Sequence, residues 1–166
     1  MKKKLYLDST IPIYYVDQRE PLAVFIELTR KWWSEMANNY ELFISDAVLQ
    51  ELSSASHPFE VEAIKLVSAI SLLPPNLGIE QLIAAYVDED IIPRSLVGDA
   101  VHLAYASYYD INYLLTWDCN HLANANKWKH IQVVNNRLGF STPEIVMPIE
   151  LLIFRRFSWN RTMYIV

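Results

Sequence analysis

The stretch Leu5-Tyr6-Leu7-Asp8-Ser9-Thr10 decides the fold that this sequence predicts. Its three apolar residues are typical of a short buried strand, and an acidic residue stands where that strand must end. Further apolar runs at Tyr40 to Ile44, Tyr113 to Thr116 and Ile131 to Val134 have the length of strands, and helical segments separate them. Strands that alternate with helices predict an α/β domain around a mostly parallel sheet.

The segments between these strands have the apolar spacing of helices. Apolar residues recur at three- and four-residue intervals over Leu22 to Met36 and over Ile79 to Val87. Val97 to Tyr109 is apolar around most of its circumference, which is expected of a buried helix. We expect one domain over residues 1–152, followed by an unassigned C-terminal tail over residues 153–166.

Four acidic residues occupy equivalent places in this pattern. Asp8 and Asp118 follow strands, Glu51 lies on the helix after the second strand, and Asp99 opens the buried helix. The carboxyl ends of parallel strands share one edge, where ligands bind, so the four carboxylates should meet there. Carboxylates that close together repel one another and cannot all stay ionised without a compensating positive charge. Mg²⁺ or Mn²⁺, which prefers oxygen ligands, is the simplest source of that charge. A bound ion of this kind indicates metal-assisted phosphate chemistry.

Each acid by itself has an ordinary structural explanation, because Asp is a common turn and helix-capping residue. Four acids in matching places are much harder to attribute to chance. His102 and His121 each follow one of these acids by three residues, or about one helical turn. We expect both histidines to pack, or to hydrogen-bond behind the acids, rather than to bind metal.

Composition narrows the remaining possibilities. The chain has 166 residues, of which 52% are hydrophobic, and a net charge of −5, so binding of nucleic acid by bulk electrostatics is disfavoured. With only three glycines, the sequence contains neither a Walker loop nor a dinucleotide-binding fingerprint. The single cysteine excludes an internal disulfide and a thiolate zinc site. With no signal peptide and no membrane-length apolar run in the sequence, we expect a cytoplasmic protein that does not enter a membrane.

On these segments the sequence resembles the PIN domains, and specifically the VapC-like toxins of prokaryotic toxin–antitoxin pairs. The resemblance extends from about Leu5 to Leu152 and implies a three-layer α/β/α sandwich with ribonuclease activity that depends on Mg²⁺ or Mn²⁺. It also implies an RNA substrate, a small cognate antitoxin protein as partner, and frequent homodimers. The segments that carry it are Leu5 to Thr10, Ser45 to Leu52, Gly98 to Ala104 and Leu114 to Leu122.

The resemblance also assigns roles to individual residues. Thr116 matches the family's hydroxyl residue two positions before the last aspartate, and it joins the four acids in the expected catalytic set. The expected metal ligands are Asp8, Glu51, Asp99 and Asp118. The candidate contacts to the substrate are Ser9, Arg94 and Asn120.

Two other functions remain open. The chain would be a catalytically silent PIN-fold module if it kept the acids only as a metal or partner site and bound nucleic acid or a protein without turnover. It would be a small-molecule phosphatase if Asp8 were a nucleophile. The phosphatase is the weaker alternative, because Asp8-Ser9-Thr10 lacks the second aspartate of the DxD nucleophile motif.

The N-terminal helices are rich in aromatic residues. Large apolar patches on a protein surface usually mark interfaces. We therefore expect a homodimer through this region, and an antitoxin that covers the acidic edge of the sheet. The aromatic residues concerned are Tyr14, Tyr15, Phe25, Trp32 and Trp33.

Overall fold

A computed structural model describes residues 1–54, 58–94, 97–118 and 125–153. Within these ranges, one or two α-helices separate each strand from the next, and two short 3-10 helices cover Glu20–Leu22 and Ala37–Asn39. None of the helices in the described ranges is both long and apolar enough to span a membrane. The strands are β1 (Lys3–Leu7), β2 (Tyr40–Ser45), β3 (Ser71–Leu73), β4 (Tyr113–Leu115) and β5 (Glu144–Val146). The helices are α1 (Thr10–Val16), α2 (Ala23–Glu35), α3 (Asp46–Ser54), α4 (Glu60–Val67), α5 (Leu77–Asp88), α6 (Val97–Tyr108) and α7 (Ala125–Leu138), and residues 148–153 are also helical.

The five strands form one parallel sheet in the order β3-β2-β1-β4-β5. β1 lies at the centre, where Leu5 is in register with Leu42 of β2 and Tyr113 of β4. The chain first builds outward from β1 to β3 and then fills the other side with β4 and β5. The order therefore reverses between β1 and β4, and in open α/β sheets ligands bind at the carboxyl ends of the strands at such a point.

Helices cover both faces of this sheet. Successive side chains of a strand point to opposite faces, and Leu5, Tyr6 and Leu7 of β1 are all fully buried. Leu114 and Leu115 of β4 are fully buried as well. A strand that is apolar on both sides needs a packed layer on each, as parallel sheets have. The predicted three-layer α/β/α sandwich is confirmed.

The prediction of a strand over Ile131 to Val134 is wrong, because these residues lie within α7. Ile131 and Val134 are buried three residues apart, whereas Val133 is 63% exposed, which is the periodicity of a helix face. The fifth strand is instead Glu144–Val146, directly after Pro143. Its three residues give too short an apolar run to be recognised from sequence.

The expected aromatic surface patch is wrong for most of its members. Trp32 is fully buried, and Tyr14, Tyr15 and Trp33 are half-buried. Tyr15 packs on Trp33 with ring centroids 5.2 Å apart, and Trp32 stacks on Tyr40 of β2. Only Phe25 of the five exposes a large part of its surface, at 40%. The homodimer itself stays a prediction.

Candidate active site

Asp8 lies at the centre of the site, directly after β1. Its side chain is buried, and hydroxyl groups from two elements hold its two oxygens. Thr10 donates to Oδ1 from its backbone N–H at 3.0 Å and from its hydroxyl at 2.5 Å. Thr116 donates its hydroxyl to Oδ2. The backbone bond from Thr10 is an Asx turn, in which an Asp side chain holds the N–H two residues on, and it begins α1.

The same two hydroxyls tie the end of β4 to Asp8. Thr10 Oγ1 accepts a bond from the Trp117 backbone N–H, and Thr116 Oγ1 accepts one from the Asp118 N–H, both at 2.9 Å. β1 and β4 are neighbours, and the Asp8 N–H continues their ladder by donating to the Leu115 carbonyl. Asp8, Thr116 and the backbone of Asp118 therefore meet at the point where the strand order reverses.

Glu51 reaches the site from α3 and pairs with His102 of α6. His102 Nε2 lies 2.9 Å from Glu51 Oε2, and His102 is 3% exposed. Its other nitrogen, Nδ1, bonds the Tyr6 hydroxyl at 2.9 Å, which in turn bonds Ser45 Oγ at 2.6 Å. This chain of side chains joins α3 and α6 to β1 and β2 behind the acids. The hydrogen-bonding role expected of His102 is confirmed.

Gly98 gives the Glu51 carboxylate room over the first turn of α6. A Cβ atom at position 98 would lie 2.9 Å from Glu51 Oε1, closer than real contacts allow. Asp99 follows Gly98 in the chain, and its charge acts on His102. The Ser9 hydroxyl also bonds Glu51. Ser9, Glu51 and Asp99 therefore approach the same edge as Asp8.

The charges of these groups shift one another's pKa values. Burial raises the pKa of Asp8, although His102 and the hydroxyls of Thr10 and Thr116 lower it in part. Burial also opposes ionisation of Glu51, but its bond to His102 and the charge of His102 leave the pKa of Glu51 lowered. Burial disfavours the charged form of His102. Its bond to Glu51 and the negative charges of Glu51, Asp8 and Asp99 outweigh that effect and raise its pKa. The two opposite shifts identify Glu51 and His102 as an ion pair.

The donor chemistry of this site fits Mg²⁺ or Mn²⁺, since its ligands would be carboxylate oxygens. Within the described ranges, however, no three histidines, cysteines or acids are already grouped to hold a metal ion. The physical reason is visible in the contacts, because hydroxyls hold both oxygens of Asp8 and His102 holds Oε2 of Glu51. The acids are gathered at one edge without being preassembled as a three-carboxylate cage.

The remaining candidates lie elsewhere or cannot be placed. Arg94 is exposed on the connection between α5 and α6, where it pairs with Asp88 at 3.7 Å rather than with an acid of the site. Asn120 and His121 lie outside the described residues. Sequence reasoning gave Thr10 no role, although its hydroxyl joins Asp8 to Trp117. The signal was the Asp-x-Thr spacing directly after a strand.

The structure is similar to a chain in the crystal structure of VapBC2 from Rickettsia felis bound to a DNA fragment from their promoter. The TM-score is 0.55 and the sequence identity 16%, over 86% of this chain and 97% of that chain. No model of a known protein family matches the sequence, and a comparison with curated proteins found no match either. At this identity the match shows that the two chains share a fold, which is the level at which it supports the resemblance.

Proposed function

We propose that this protein is a metal-dependent endoribonuclease that hydrolyses phosphodiester bonds of RNA. The observation that carries the proposal is the setting of Asp8. It is a buried carboxylate at the reversal of strand order, held by hydroxyls from α1 and from the end of β4. Any buried carboxylate needs hydrogen-bond donors. Here the donors are neutral hydroxyls from two elements, which fix the orientation of the Asp8 side chain without cancelling its charge, as a cation ligand requires.

Asp8, Asp99 and Asp118 are the residues that would hold one or two Mg²⁺ or Mn²⁺ ions, with Glu51 as a direct or water-mediated ligand. The bound metal would lower the pKa of a water molecule and offset charge on the phosphate. Thr10 and Thr116 donate to the charged form of Asp8, and so favour its ionisation against the effect of burial. His102 fixes Glu51, and Ser9, whose hydroxyl bonds Glu51, would be a contact for the substrate.

The toxin of a toxin–antitoxin pair is the biological setting that we propose. The fold match supports it, because the similar chain comes from a crystal structure of VapBC2 bound to promoter DNA. A small antitoxin would cover the acidic edge of the sheet, and the toxin would act on RNA in the cytoplasm as a homodimer. Co-purification with the product of the adjacent gene tests the antitoxin, and light scattering at micromolar concentration tests the dimer.

A catalytically silent binding module remains the second candidate. The specific observation in its favour is that the described acids are not preassembled as a three-carboxylate group. Such a module would keep metal or partner binding at the same edge but would not turn over RNA.

Cleavage assays separate the two candidates. The purified protein, freed of any partner, is incubated with a broad panel of single-stranded RNAs and Mn²⁺. We expect endonucleolytic products with 5′-phosphate and 3′-hydroxyl ends, and their loss when EDTA replaces the metal. If no RNA in the panel is cleaved, the nuclease proposal fails. If Mn²⁺ nevertheless raises the melting temperature of that inactive protein, the binding module takes its place.

A further inference from the structure

Three aromatic side chains from three elements form a cluster beside the acids. Phe25 of α2 lies 5.1 Å from the ring of Trp117 and 5.7 Å from that of Tyr14 on α1, centroid to centroid. Tyr14 and Trp117 are 6.2 Å apart. Trp117 is 9% exposed, Tyr14 is half-buried, and Phe25 is 40% exposed. Phe25 is therefore the most exposed of the three aromatic residues, and the other two rings pack against it.

Hydrogen bonds fix this cluster to the catalytic edge. The Trp117 backbone N–H donates to the Thr10 hydroxyl, and that hydroxyl donates to Asp8. The indole Nε1 of Trp117 donates to Thr29 Oγ1 at 2.7 Å, and Thr29 Oγ1 donates to the Phe25 carbonyl at 2.6 Å. One continuous set of bonds thus runs from Asp8 to the backbone of Phe25.

The helix geometry keeps the cluster close to Asp8. Tyr14 follows Thr10 by four residues on α1 and so lies on the same face, about 6 Å along the axis. Trp117 and Asp118 are consecutive in the chain. A nucleotide next to a phosphate at Asp8 would therefore have its base within reach of Phe25 and Tyr14.

We propose that Phe25 and Tyr14, with Trp117 behind them, form a stacking site for an unpaired base next to the RNA phosphate that is cleaved. This inference rests on the proposed ribonuclease function and adds a base-binding subsite to it. Aromatic rings bind single-stranded nucleic acid by stacking, with little preference for sequence. A chain with a net charge of −5 has particular need of such contacts, because electrostatic binding to phosphates is weak.

A base suits this face better than a protein partner does. The exposed part of Phe25 amounts to roughly 80 Å², taking about 200 Å² for an aromatic side chain. A stable protein interface needs about 800 Å² on each partner. Even with the neighbouring Val24, which is 67% exposed, the open apolar surface is nearer the size of one base.

The test measures RNA binding without cleavage. Fluorescein-labelled single-stranded RNA octamers are titrated against Asp99→Asn protein in Mg²⁺, with Phe25→Leu and Phe25→Tyr added to that background. Phe25→Leu keeps an apolar side chain but removes the ring, and we expect about tenfold weaker binding. Phe25→Tyr keeps the ring and should bind within about twofold. An octamer that lacks the base facing Phe25 has no stacking contact to lose when the ring is removed. It should therefore bind the Asp99→Asn protein and its Phe25→Leu variant with the same weakened affinity.

Phe140→Leu is the matched control, because Phe140 is a half-buried aromatic that packs on Tyr108, away from the site. It should leave RNA binding unchanged. Equal affinity of the Phe25→Leu and parent proteins for every octamer would overturn the proposal. So would a Phe25→Leu protein that binds RNA normally but no longer self-associates, because the face would then be a protein interface. Melting temperatures identify any variant that fails to fold. If Phe25→Leu does not fold, the octamer with the abasic position decides, because it should bind the ring-bearing Phe25→Tyr protein about tenfold more weakly than the intact octamer does, and equal binding would overturn the proposal.

Failure of the stacking site can be distinguished from failure of the proposed ribonuclease function. Binding is measured on a variant that does not need to cleave, so loss of base-dependent binding on Phe25→Leu supports the stacking site even if the parent shows no turnover. In that case the protein is a binding module with this subsite. If the parent cleaves RNA and Phe25→Leu has no effect on binding, the stacking site alone is wrong.

Discussion

A buried carboxylate is costly to ionise, and the residues around Asp8 and Glu51 show two ways of reducing that cost. Asp8 receives hydrogen bonds from neutral hydroxyls, which favour its charged form while leaving the negative charge available to a cation. Glu51 is instead paired with His102, whose charge cancels its own. At the scale of single residues, Asp8 is therefore better suited to binding metal than Glu51 is.

Gly98 should affect the site more than the fold. Replacing glycine by alanine inside a helix normally stabilises it by about 0.5–1 kcal/mol. Here the new Cβ would meet Glu51 Oε1 at 2.9 Å, and that carboxylate is already held by His102. We expect Gly98→Ala to keep the melting temperature of the metal-free protein or raise it, while weakening Mn²⁺ binding and cleavage at least tenfold. Gly78→Ala is no control, since its Cβ would strike Tyr108. Full activity in Gly98→Ala would show that the position of Glu51 does not matter.

His102 should make the stability of the metal-free protein depend on pH. Its folded pKa is raised above the unfolded value of about 6.5, so its contribution is complete below that pH and is lost as pH rises through the folded pKa. At low pH the effect comes from Glu51. Its pKa is lowered in the folded protein, so the stability that its charge contributes is lost as the pH falls through that pKa. In EDTA, we expect the melting temperature to fall above about pH 6.5, and to fall less in His102→Gln. His130→Gln, on an exposed position, should keep the parent's slope.

At the scale of elements, one buried amide holds the second half of the sheet together. Asn135 of α7 is fully buried and accepts a bond from the Tyr86 hydroxyl of α5 at 2.6 Å. It donates to Ser107 of α6 at 3.0 Å and to the Ser141 carbonyl at 2.9 Å, just before β5. None of these bonds involves an acid of the site, and together they fix α5, α6, α7 and the chain that enters β5.

Asn135→Ala should therefore destabilise the protein without changing its site. Buried donors and acceptors that lose a partner cost about 1–3 kcal/mol, and several lose one here, so we expect a loss of about 2–4 kcal/mol. Urea denaturation measures it, and metal binding at low temperature should be unchanged. Asn136→Ala, on the neighbouring exposed position, should cost under about 0.5 kcal/mol. Equal losses in the two variants would contradict the network's role.

Elements with strong local patterns were predictable from sequence, and elements set by distant contacts were not. The apolar run Leu5-Tyr6-Leu7 has the pattern of a buried strand and lies in β1, as expected. The segment around Leu82 and Tyr86 has the spacing of a helix and lies in α5, as expected. The run Ile131 to Val134 fits a strand by composition, but α5 packs against it and it is helical. β5 has three residues and is defined by its pairing with β4.

The candidate site was predictable to the same extent. The positions of Asp8 and Asp118 after strands, and of Asp99 and Glu51 on the helices that follow, agree with the order of elements, because a parallel sheet brings those ends to one edge. The partners of the acids do not follow from it. The pairing of Glu51 with His102, and the hydroxyl contacts of Thr10 and Thr116 with Asp8, depend on side-chain geometry that sequence spacing leaves undetermined.

At the scale of the whole molecule, the sheet order places the site and the charge of the chain limits its ligands. Strand order reverses between β1 and β4, so one edge of the sheet receives residues from both halves of the chain. The protein carries a net charge of −5, and the acids gathered at that edge add local repulsion. A divalent cation that binds only the folded state would relieve the repulsion and stabilise the whole domain.

The most direct test of the central claim compares the metal response of Asp99→Asn with that of Asp110→Asn. Asp110 is exposed and has a positive φ of 53°, a conformation that asparagine adopts readily, so its variant is a matched isosteric control. For the parent and Asp110→Asn, Mn²⁺ at about 100 times its Kd should add about 2.7 kcal/mol, or roughly 5–10 °C in melting temperature. Asp99→Asn should lose most of that shift, lose RNA cleavage, and be at least as stable as the parent without metal. A parent protein that gains no stability from Mn²⁺ or Mg²⁺, together with an Asp99→Asn variant that behaves like it, would contradict the account.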